Sequence, residues 1–501
     1  MKKILINDNP WQTRIAITKD DILQNIYFAA HVENPLERVF FKGTVTKVLP
    51  GIQTAFVEIG QEKAGFLHIS EIDRELAIDS MSDIDDDEKP VKTSTARLRQ
   101  TLDISNILKE GEPILVQVSK EPVYEKGAKL TTCFTLPGRF IVLMPNIPRI
   151  GISKKIEDRE ERHRLKDTLR ELLPEGMGAI IRTTSDGRSK EEIKKDVDFL
   201  VDTWNTIQKK FAAASVKERI HEDIALPLQI VRDHLDNDVE EVISDTKESQ
   251  RTIYQFVKLI APEYSPRIKL YEGHGSLFDH YNIEKQIEAA LDRKATLKSG
   301  GSLIIEATEA MCVVDVNTGK FTGKKSLEET ILKTNLEAAQ EIVRQLRLRN
   351  IGGLIVIDFI DMATGANRQK LFKFFEKTLR EQDKFQSVVL KVSEFGLVQM
   401  TRKRSGKSLV QQLTDTCQTC KGLGFVRSLE TESYTILRAL KSALVNNVHP
   451  RATLNVNEEI FTYITNTEYN SILEIEKQHK CKITLVSQKA FKINQYKIEK
   501  S

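Results

Sequence analysis

The sequence predicts a multidomain protein of α/β and α+β class, in which a small closed β-barrel precedes a layered strand–helix–strand segment. Three observations carry this expectation. The chain has 501 residues, enough for several compact units. Residues 40 to 72 break into short alternating strands at glycine-marked bends. Residues 300 to 400 alternate strands with long periodic helices, the pattern of an α/β layer.

Composition excludes several classes. Hydrophobic residues make up 40% of the chain and charged residues 29%, as in an ordinary globular protein. No uninterrupted apolar run approaches the roughly 20 residues that a membrane span needs. The opening MKKILINDNPWQTRIAI has two lysines but no long apolar core, so it reads as a strand rather than a leader. Five cysteines are too few for a disulfide framework, and two of them stand as Cys417-x-x-Cys420. That usage suits a reducing, cytoplasmic compartment with one metal or redox site. The net charge of +3 decides nothing by itself; local clustering of the basic residues matters more.

In the barrel, Thr44-Val45-Thr46-Lys47-Val48 and Ala55-Phe56-Val57-Glu58-Ile59 alternate, and Gly43, Pro50-Gly51, Gly60 and Gly65 mark the bends. Residues 74 to 100 lose periodicity and carry the run Asp83-Ile84-Asp85-Asp86-Asp87-Glu88, expected as a solvated, mobile loop inserted in the barrel. Strand character resumes at 113 to 118. Charged helices are expected over 155–173 and 189–212, with the strand Gly178-Ala179-Ile180-Ile181 between them. From 217 to 290 the pattern is mostly helical, with a strand near 267–271. The α/β segment then runs strand 302–306, strand 311–316, helix 326–349, strand 353–360, helix 367–380 and strand 387–392. The long helix opens with the capping box Ser326-x-x-Glu329, and Leu327, Ile331, Leu332, Ala339, Ile342, Val343 and Leu346 keep its period. The stretch after 425 reads as mixed and strand-rich, with no nameable motif.

Two aspartates end near-continuous apolar strands: Asp315 in Val313-Val314-Asp315-Val316-Asn317, and Asp358 in Leu354-Ile355-Val356-Ile357-Asp358. Burying an ionised carboxylate is costly unless it is paired or binds a cation. Two such groups linked by one helix can converge at one sheet edge, where magnesium would take both and complete its shell with water and phosphate. Asn317 stands beside Asp315 at a turn, where its amide could orient water or a phosphate oxygen. The alternative is that Asp315 caps a turn and Asp358 pairs with a lysine. No histidine lies near either strand, which argues against a metal-free histidine nuclease.

The hook Cys417-Gln-Thr-Cys420-Lys-Gly-Leu-Gly is half of a tetrahedral thiolate zinc site. Cys133, Cys312 and Cys481 are isolated, so the missing ligands would come from a second copy of the chain. Unligated surface thiols and a redox dithiol remain open. Arg182-Thr183 ends the strand 178–181 ahead of a helix with the capping box Ser189-x-x-Glu192, a setting for a monophosphate or simply a polar loop. Phe56 and Phe66, with Lys42, Lys47 and Lys63 nearby, suit stacking on single-stranded RNA. They suit a barrel core equally well. The cluster Thr401-Arg402-Lys403-Arg404-Ser405-Gly406-Lys407 reads as a phosphate contact or a solvated loop.

The strings VDVNTGKFTG, TNLEAAQEIVRQLRLRNIGGLIVIDFIDM, LPEGMGAIIRT and CQTCKGLG together resemble the catalytic region of the ribonuclease E/G family. FFKGTVTKVLPGIQTAFVEIGQEKAGFLH resembles that family's S1 domain, and the likeness runs from about residue 1 to 425. The resemblance implies magnesium on Asp315 and Asp358 with Asn317 assisting, and a 5′-monophosphate pocket at Arg182 and Thr183. It also implies RNA-holding aromatics at Phe56 and Phe66, and a zinc ion shared between two chains through Cys417 and Cys420. The implied parts are a ribonuclease H-like domain (1–36 and 227–290), an S1 barrel with its acidic insert (37–124) and a 5′-sensor region (125–226). A DNase I-like catalytic domain (291–412), a zinc link (413–425) and a small C-terminal domain (426–501) follow. The implied protein is a homodimer or homotetramer that hydrolyses AU-rich single-stranded RNA in ribosomal RNA maturation and messenger decay.

Three features depart from the family pattern. The acidic run at 83–88 is unusual, Glu394 stands where a basic residue is expected, and 426–501 carry no resemblance. A long arginine- and proline-rich tail is not found, which favours the ribonuclease G-like branch. The competing function is a non-catalytic S1-type RNA-binding or ribosome-assembly protein, for which Asp315 and Asp358 would be dispensable. A redox protein is disfavoured because the cysteine pair lacks a strand-then-helix setting.

Overall fold

The computed structural model describes residues 1–30, 36–72, 84–85, 103–122, 127–156, 158–318, 327–393, 396–445 and 450–500. The chain forms two units, Met1–Gln412 and Leu413–Ser501. Four sheets build the first.

The opening segment is a hairpin rather than one strand: Lys2–Asn9 pairs antiparallel with Gln12–Lys19, which pairs with Ile22–Ala30. Its other neighbour comes from far along the chain. Val239–Ser244 runs parallel to Lys2–Asn9 and carries Ile268–Leu270 at the sheet's edge. The described residues between Ala30 and Leu226 are therefore an excursion from one sheet, to whose core Leu226–His234 returns.

The first excursion is the barrel. Phe40–Leu49, Thr54–Glu58, Gly65–His68, Lys129–Thr131 and Pro113–Lys120 pair in that order, and Pro113–Lys120 closes back onto Phe40–Leu49. Val45, Ala55, Val57, Leu67, Val116, Val118 and Leu130 fill the interior. At Gly43 a Cβ would stand 2.4 Å from Val57 Cγ1, so closure needs a glycine there. The barrel takes Lys129–Thr131 from beyond residue 124, where its end was expected; a three-residue strand is too short to show alternation. Most of the acidic run 83–88 lies outside the described residues, and Ile84–Asp85 pair with Ile150–Ser153 in the next sheet.

That third sheet orders Leu136–Pro137, Ile141–Met144, Gly178–Ile181, Ile150–Ser153 and Ile84–Asp85. The helices Arg159–Leu172 and Lys190–Ala213 share its core. The Ser189–Glu192 capping box forms as the sequence implies.

The fourth sheet orders Lys294–Thr296, Ser302–Ala307, Met311–Asn317, Gly353–Asp358, Leu397–Arg402 and Ser387–Val389. Met311–Asn317 and Gly353–Asp358 are parallel, joined by the helix Leu327–Leu348; Gly365–Gln382 follows. Ala338, Ala339, Ile342, Val343 and Leu346 pack the long helix onto Val314, Ile355 and Ile357. Ser326 of the expected capping box, and Glu394, lie outside the described residues.

The strand Leu397–Arg402 was not anticipated and overturns one reading. Arg402 belongs to no solvated loop: its guanidinium is buried, donating from Nε to Asp383 at 2.6 Å and from Nη1 to the Ile351 carbonyl. Lys403, Arg404 and Lys407 remain exposed beyond it.

The second unit corrects the strand-rich expectation. Helices Leu429–Val445, Glu458–Thr467 and Tyr469–His479 outweigh the strands Arg451–Val456, Lys482–Ser487 and Tyr496–Lys500. β-Branched Ile460, Ile464, Ile472 and Ile475 form the buried helix faces, and isoleucine favours strands by local preference.

The Arg402–Asp383 pair, with both side chains within 2% of full burial, is expected to be a weak point if halved. Asp383→Ala should lower the first unit's unfolding free energy by roughly 3–5 kcal/mol in a denaturant titration, because it strands a buried guanidinium.

Candidate functional site

At the carboxyl ends of the two parallel strands, Asp315 and Asp358 stand directly opposite each other in register. Their neighbours Val314, Val316 and Ile357 point into the core, so alternation sends both carboxylates to the other face. Adjacent strands lie about 4.8 Å apart, which brings both groups within reach of one cation. Slight burial, the Asp315 charge and the Asp361 charge together raise the Asp358 pKa. Among the described residues neither aspartate has a cationic partner, so the lysine-paired alternative gains no support. Asn317, two residues on, donates from Nδ2 to Asp315 Oδ2 at 2.7 Å. The three candidates thus converge on one sheet edge, the place where open α/β sheets bind ligands.

Among the described residues no three His, Cys, Asp or Glu side chains cluster tightly enough to cage an ion. The donor set is two carboxylate groups, one of them with its pKa raised by its neighbours. Such a set fits a hard cation that keeps most of its shell for water and phosphate, as magnesium does.

Two residues that matter here escaped the sequence reading. Asp361 adds a third negative charge beyond Asp358. Asn335, fully buried on the long helix, holds the backbone of Ile360 between those two aspartates. The signal was present: Asn335 interrupts the apolar stripe of Ile331, Ala339 and Ile342, and a buried amide must find partners.

Arg182 and Thr183 lie at the end of Gly178–Ile181, away from the aspartates in sequence and sheet. Arg182 Nη1 donates to the Gly138 carbonyl at 2.6 Å and to Asp233 Oδ1 at 2.8 Å. Burial opposes ionisation of Asp233, but the Arg182 and Arg232 charges prevail and pull its pKa down to about 2. The loop that receives Arg182 is itself fixed. Half-buried Asp196 accepts backbone N–H bonds from Arg139, Phe140 and Ile141. Thr183 is exposed and lines a cleft of about 1650 Å³ within the first unit, together with Lys155, Lys373, Lys377 and Lys384.

On the barrel, Phe56 and Phe66 are cross-strand partners on the outer face, half-exposed, while Ala55, Val57 and Leu67 point inward. The row continues on both sides: Lys47 pairs with Phe56, and Lys129 with Phe66. Lys42 is drawn away, donating to the Phe211 and Ala214 carbonyls. The barrel-core alternative for the two phenylalanines is thereby excluded.

In the second unit, Cys417 is exposed and Cys420 half-exposed, whereas Cys133, Cys312 and Cys481 are buried. The backbone N–H groups of Cys420 and Thr419 bond the Cys417 sulfur and lower its pKa. Lys421, Gly422 and Gly424 take left-handed conformations that turn the chain around the pair. The next helix starts at Leu429, so the cysteines do not sit at a helix N-terminus.

Residues 135–405 match the model described as "Ribonuclease E/G family", more than half of the chain. The chain belongs to the ribonuclease E/G family. Residues 416–501 match a second model, "RNase E/G, Thioredoxin-like domain", which gives a description to the stretch whose sequence suggested none. A protein named Ribonuclease G from Haemophilus influenzae is 38% identical over 476 residues, covering 95% of this chain and 94% of that protein. Ribonuclease G from Escherichia coli K12 is 38% identical over 438 residues, 87% of each chain. Ribonuclease E from the same strain is 36% identical over 480 residues, 95% of this chain but 44% of that longer protein.

Thiol reactivity checks the cysteine placement. In native, metal-free protein, Cys417 and Cys420 should react rapidly with a thiol reagent. The other three are buried and should react only on unfolding; for Cys312 burial also pushes the folded-state pKa up to about 11, so little thiolate forms there before unfolding. Rapid modification of all five thiols would contradict the structure.

Proposed function

We propose that this endoribonuclease hydrolyses AU-rich single-stranded RNA in the cytoplasm at the Asp315–Asp358 edge, with Mg²⁺ as its cofactor, in ribosomal RNA maturation and messenger decay. The observation that carries the reading is the register pairing of two carboxylates that have no cationic partner among the described residues. Bound there, the ion supplies Lewis-acid activation of water and of the scissile phosphate. Asp315 and Asp358 would ligate it. Asn317, anchored on Asp315 through Nδ2, would use its carbonyl oxygen, which has no partner among the described residues, to orient a water proton towards the attacked phosphodiester.

The remaining sites supply binding. Phe56 and Phe66 offer two stacked-base platforms flanked by Lys47 and Lys129, an arrangement tolerant of sequence. Arg182 and Thr183 offer a guanidinium and a hydroxyl to a 5′-monophosphate, with Asp233 and Gly138 keeping the guanidinium oriented. We read the closed barrel, its strand Lys129–Thr131 included, as an S1 domain and the stretch from there to 226 as the 5′-sensor region. The sheet shared by the chain start and residues 239–270 is read as ribonuclease H-like, and 291–412 as DNase I-like. Cys417 and Cys420 in the link 413–425 would supply half of a tetrahedral zinc shell, the other half coming from a second chain in a homodimer.

Three measurements test this reading. Cleavage of a 5′-monophosphorylated oligoribonucleotide should require Mg²⁺ and fall to near background in Asp358→Asn; equal rates would refute the site. Phe56→Ala should weaken oligonucleotide binding by roughly 1–3 kcal/mol while leaving the Mg²⁺ requirement unchanged. Metal analysis should return about half a zinc per chain, with Cys417→Ser giving monomers. One zinc per monomer would contradict sharing.

A further inference from the structure

We infer that Asn335 is a positioning residue for the metal-binding edge, acting as a clamp that fixes the backbone leaving Asp358 and so sets where Asp361 stands beside the Asp315–Asp358 pair. The inference rests on the reading of Asp315 and Asp358 as metal ligands. Asn335 Nδ2 donates to the Ile360 carbonyl at 2.8 Å, and its Oδ1 accepts from the Ile360 N–H at 3.1 Å. A planar amide that grips both polar groups of one residue fixes that residue's orientation as well as its distance. Ile360 is the second residue past the end of Gly353–Asp358, where sheet hydrogen bonding has stopped. The clamp takes over where the ladder ends.

The clamp's own base is rigid. Asn335 is fully buried on Leu327–Leu348, the helix that connects the strands of Asp315 and Asp358, one turn before the buried Ala338 and Ala339. Eight residues before Asn335 the helix is only beginning, and a second contact secures the segment after the clamp. Glu328 accepts from the Thr364 N–H and from Asn367 Nδ2, fastening the start of Gly365–Gln382 to the same helix. Hydrogen bonding to both groups of Ile360 leaves a helix amide, rather than the aspartates, in charge of the loop between two like charges. Without the clamp, the backbone beyond Asp358, the last residue paired in the ladder, loses its anchor, and the place of Asp361 beside the Asp315–Asp358 pair is no longer enforced. An apolar side chain at 335 would fill the same space but could bond neither group of Ile360.

The test reads metal binding without RNA, using Mn²⁺ alone as a spectroscopic stand-in for Mg²⁺. Asn335→Ala and Asn335→Leu are compared with wild type and Asp358→Asn. The leucine variant fills the space of the amide but bonds neither group of Ile360, so it serves if the alanine variant does not fold. We expect Mn²⁺ affinity about tenfold lower in the Asn335 variants, the order seen when supporting hydrogen bonds around metal ligands are removed. The Mg²⁺ concentration for half-maximal cleavage should rise in step, while metal-free oligonucleotide affinity stays as in wild type. Wild-type Mn²⁺ affinity in a folded Asn335 variant would overturn the clamp, as would a matching loss of oligonucleotide affinity, the mark of general damage. Wild-type Mn²⁺ affinity in Asp358→Asn would instead overturn the ligand reading on which the clamp rests.

Discussion

Two like charges held side by side are the constraint around which the first unit's chemistry is arranged. Parallel pairing of Met311–Asn317 with Gly353–Asp358 leaves Asp315 and Asp358 no freedom to retreat from each other. The repulsion is visible in the raised pKa of Asp358, to which burial, Asp315 and Asp361 contribute in that order. A fold tolerates such a pair when the rest of the sheet is secure. The core beneath it is apolar and continuous, from Leu303 through Val314 and Ile357 to Met400. In the proposed function a divalent cation would turn the same repulsion into attraction, making a receptor of an arrangement that is unfavourable alone.

The loops around the candidate sites in this unit are held by polar side chains that bond backbone rather than by packing alone. Asp196 gathers three consecutive N–H groups at 139–141, and that loop in turn receives Arg182 through the Gly138 carbonyl. A Cβ on Gly138 would fall 2.4 Å from Asp196 Oδ2, so the approach demands glycine. Asp233 completes the setting: its carboxylate pairs with Arg182 and its carbonyl accepts from Lys384 Nζ, which follows the helix Gly365–Gln382 of the fourth sheet. An anion arriving at Arg182 meets a guanidinium already paired, and must compete with Asp233 for it.

The sequence made the α/β layer legible because its strands are long, apolar and separated by a helix of many turns. Gly178–Ile181 and the Ser189 capping box were readable for similar reasons: local rules agree with the tertiary outcome there. Leu397–Arg402 was hidden because its last residue is charged, and only the partner Asp383, nineteen positions away, explains why an arginine belongs inside. The second unit misled through isoleucines whose local preference the tertiary packing overrides. Asp315 and Asp358 stood out as charges ending apolar runs. Asn335 did not, because an amide on a helix draws attention only once its face is known to be buried. Phe56 and Phe66 needed the barrel's inside to be identified before alternation had a sign.

The cysteine hook poses a counting problem that geometry sharpens. Tetrahedral zinc takes four ligands, and the turn at 417–424 presents two thiols to solvent, one with a lowered pKa. Cys481 cannot supply a third, since its side chain is buried in the unit's core against Leu440 and Ile483. Among the described residues no other histidine, cysteine or carboxylate joins the pair in a group of three. A closed zinc site built on this turn, as proposed, would take its remaining ligands from outside the described residues, and a second copy would offer an identical pair by symmetry. In that proposal two-fold pairing would satisfy four-fold coordination with nothing left over.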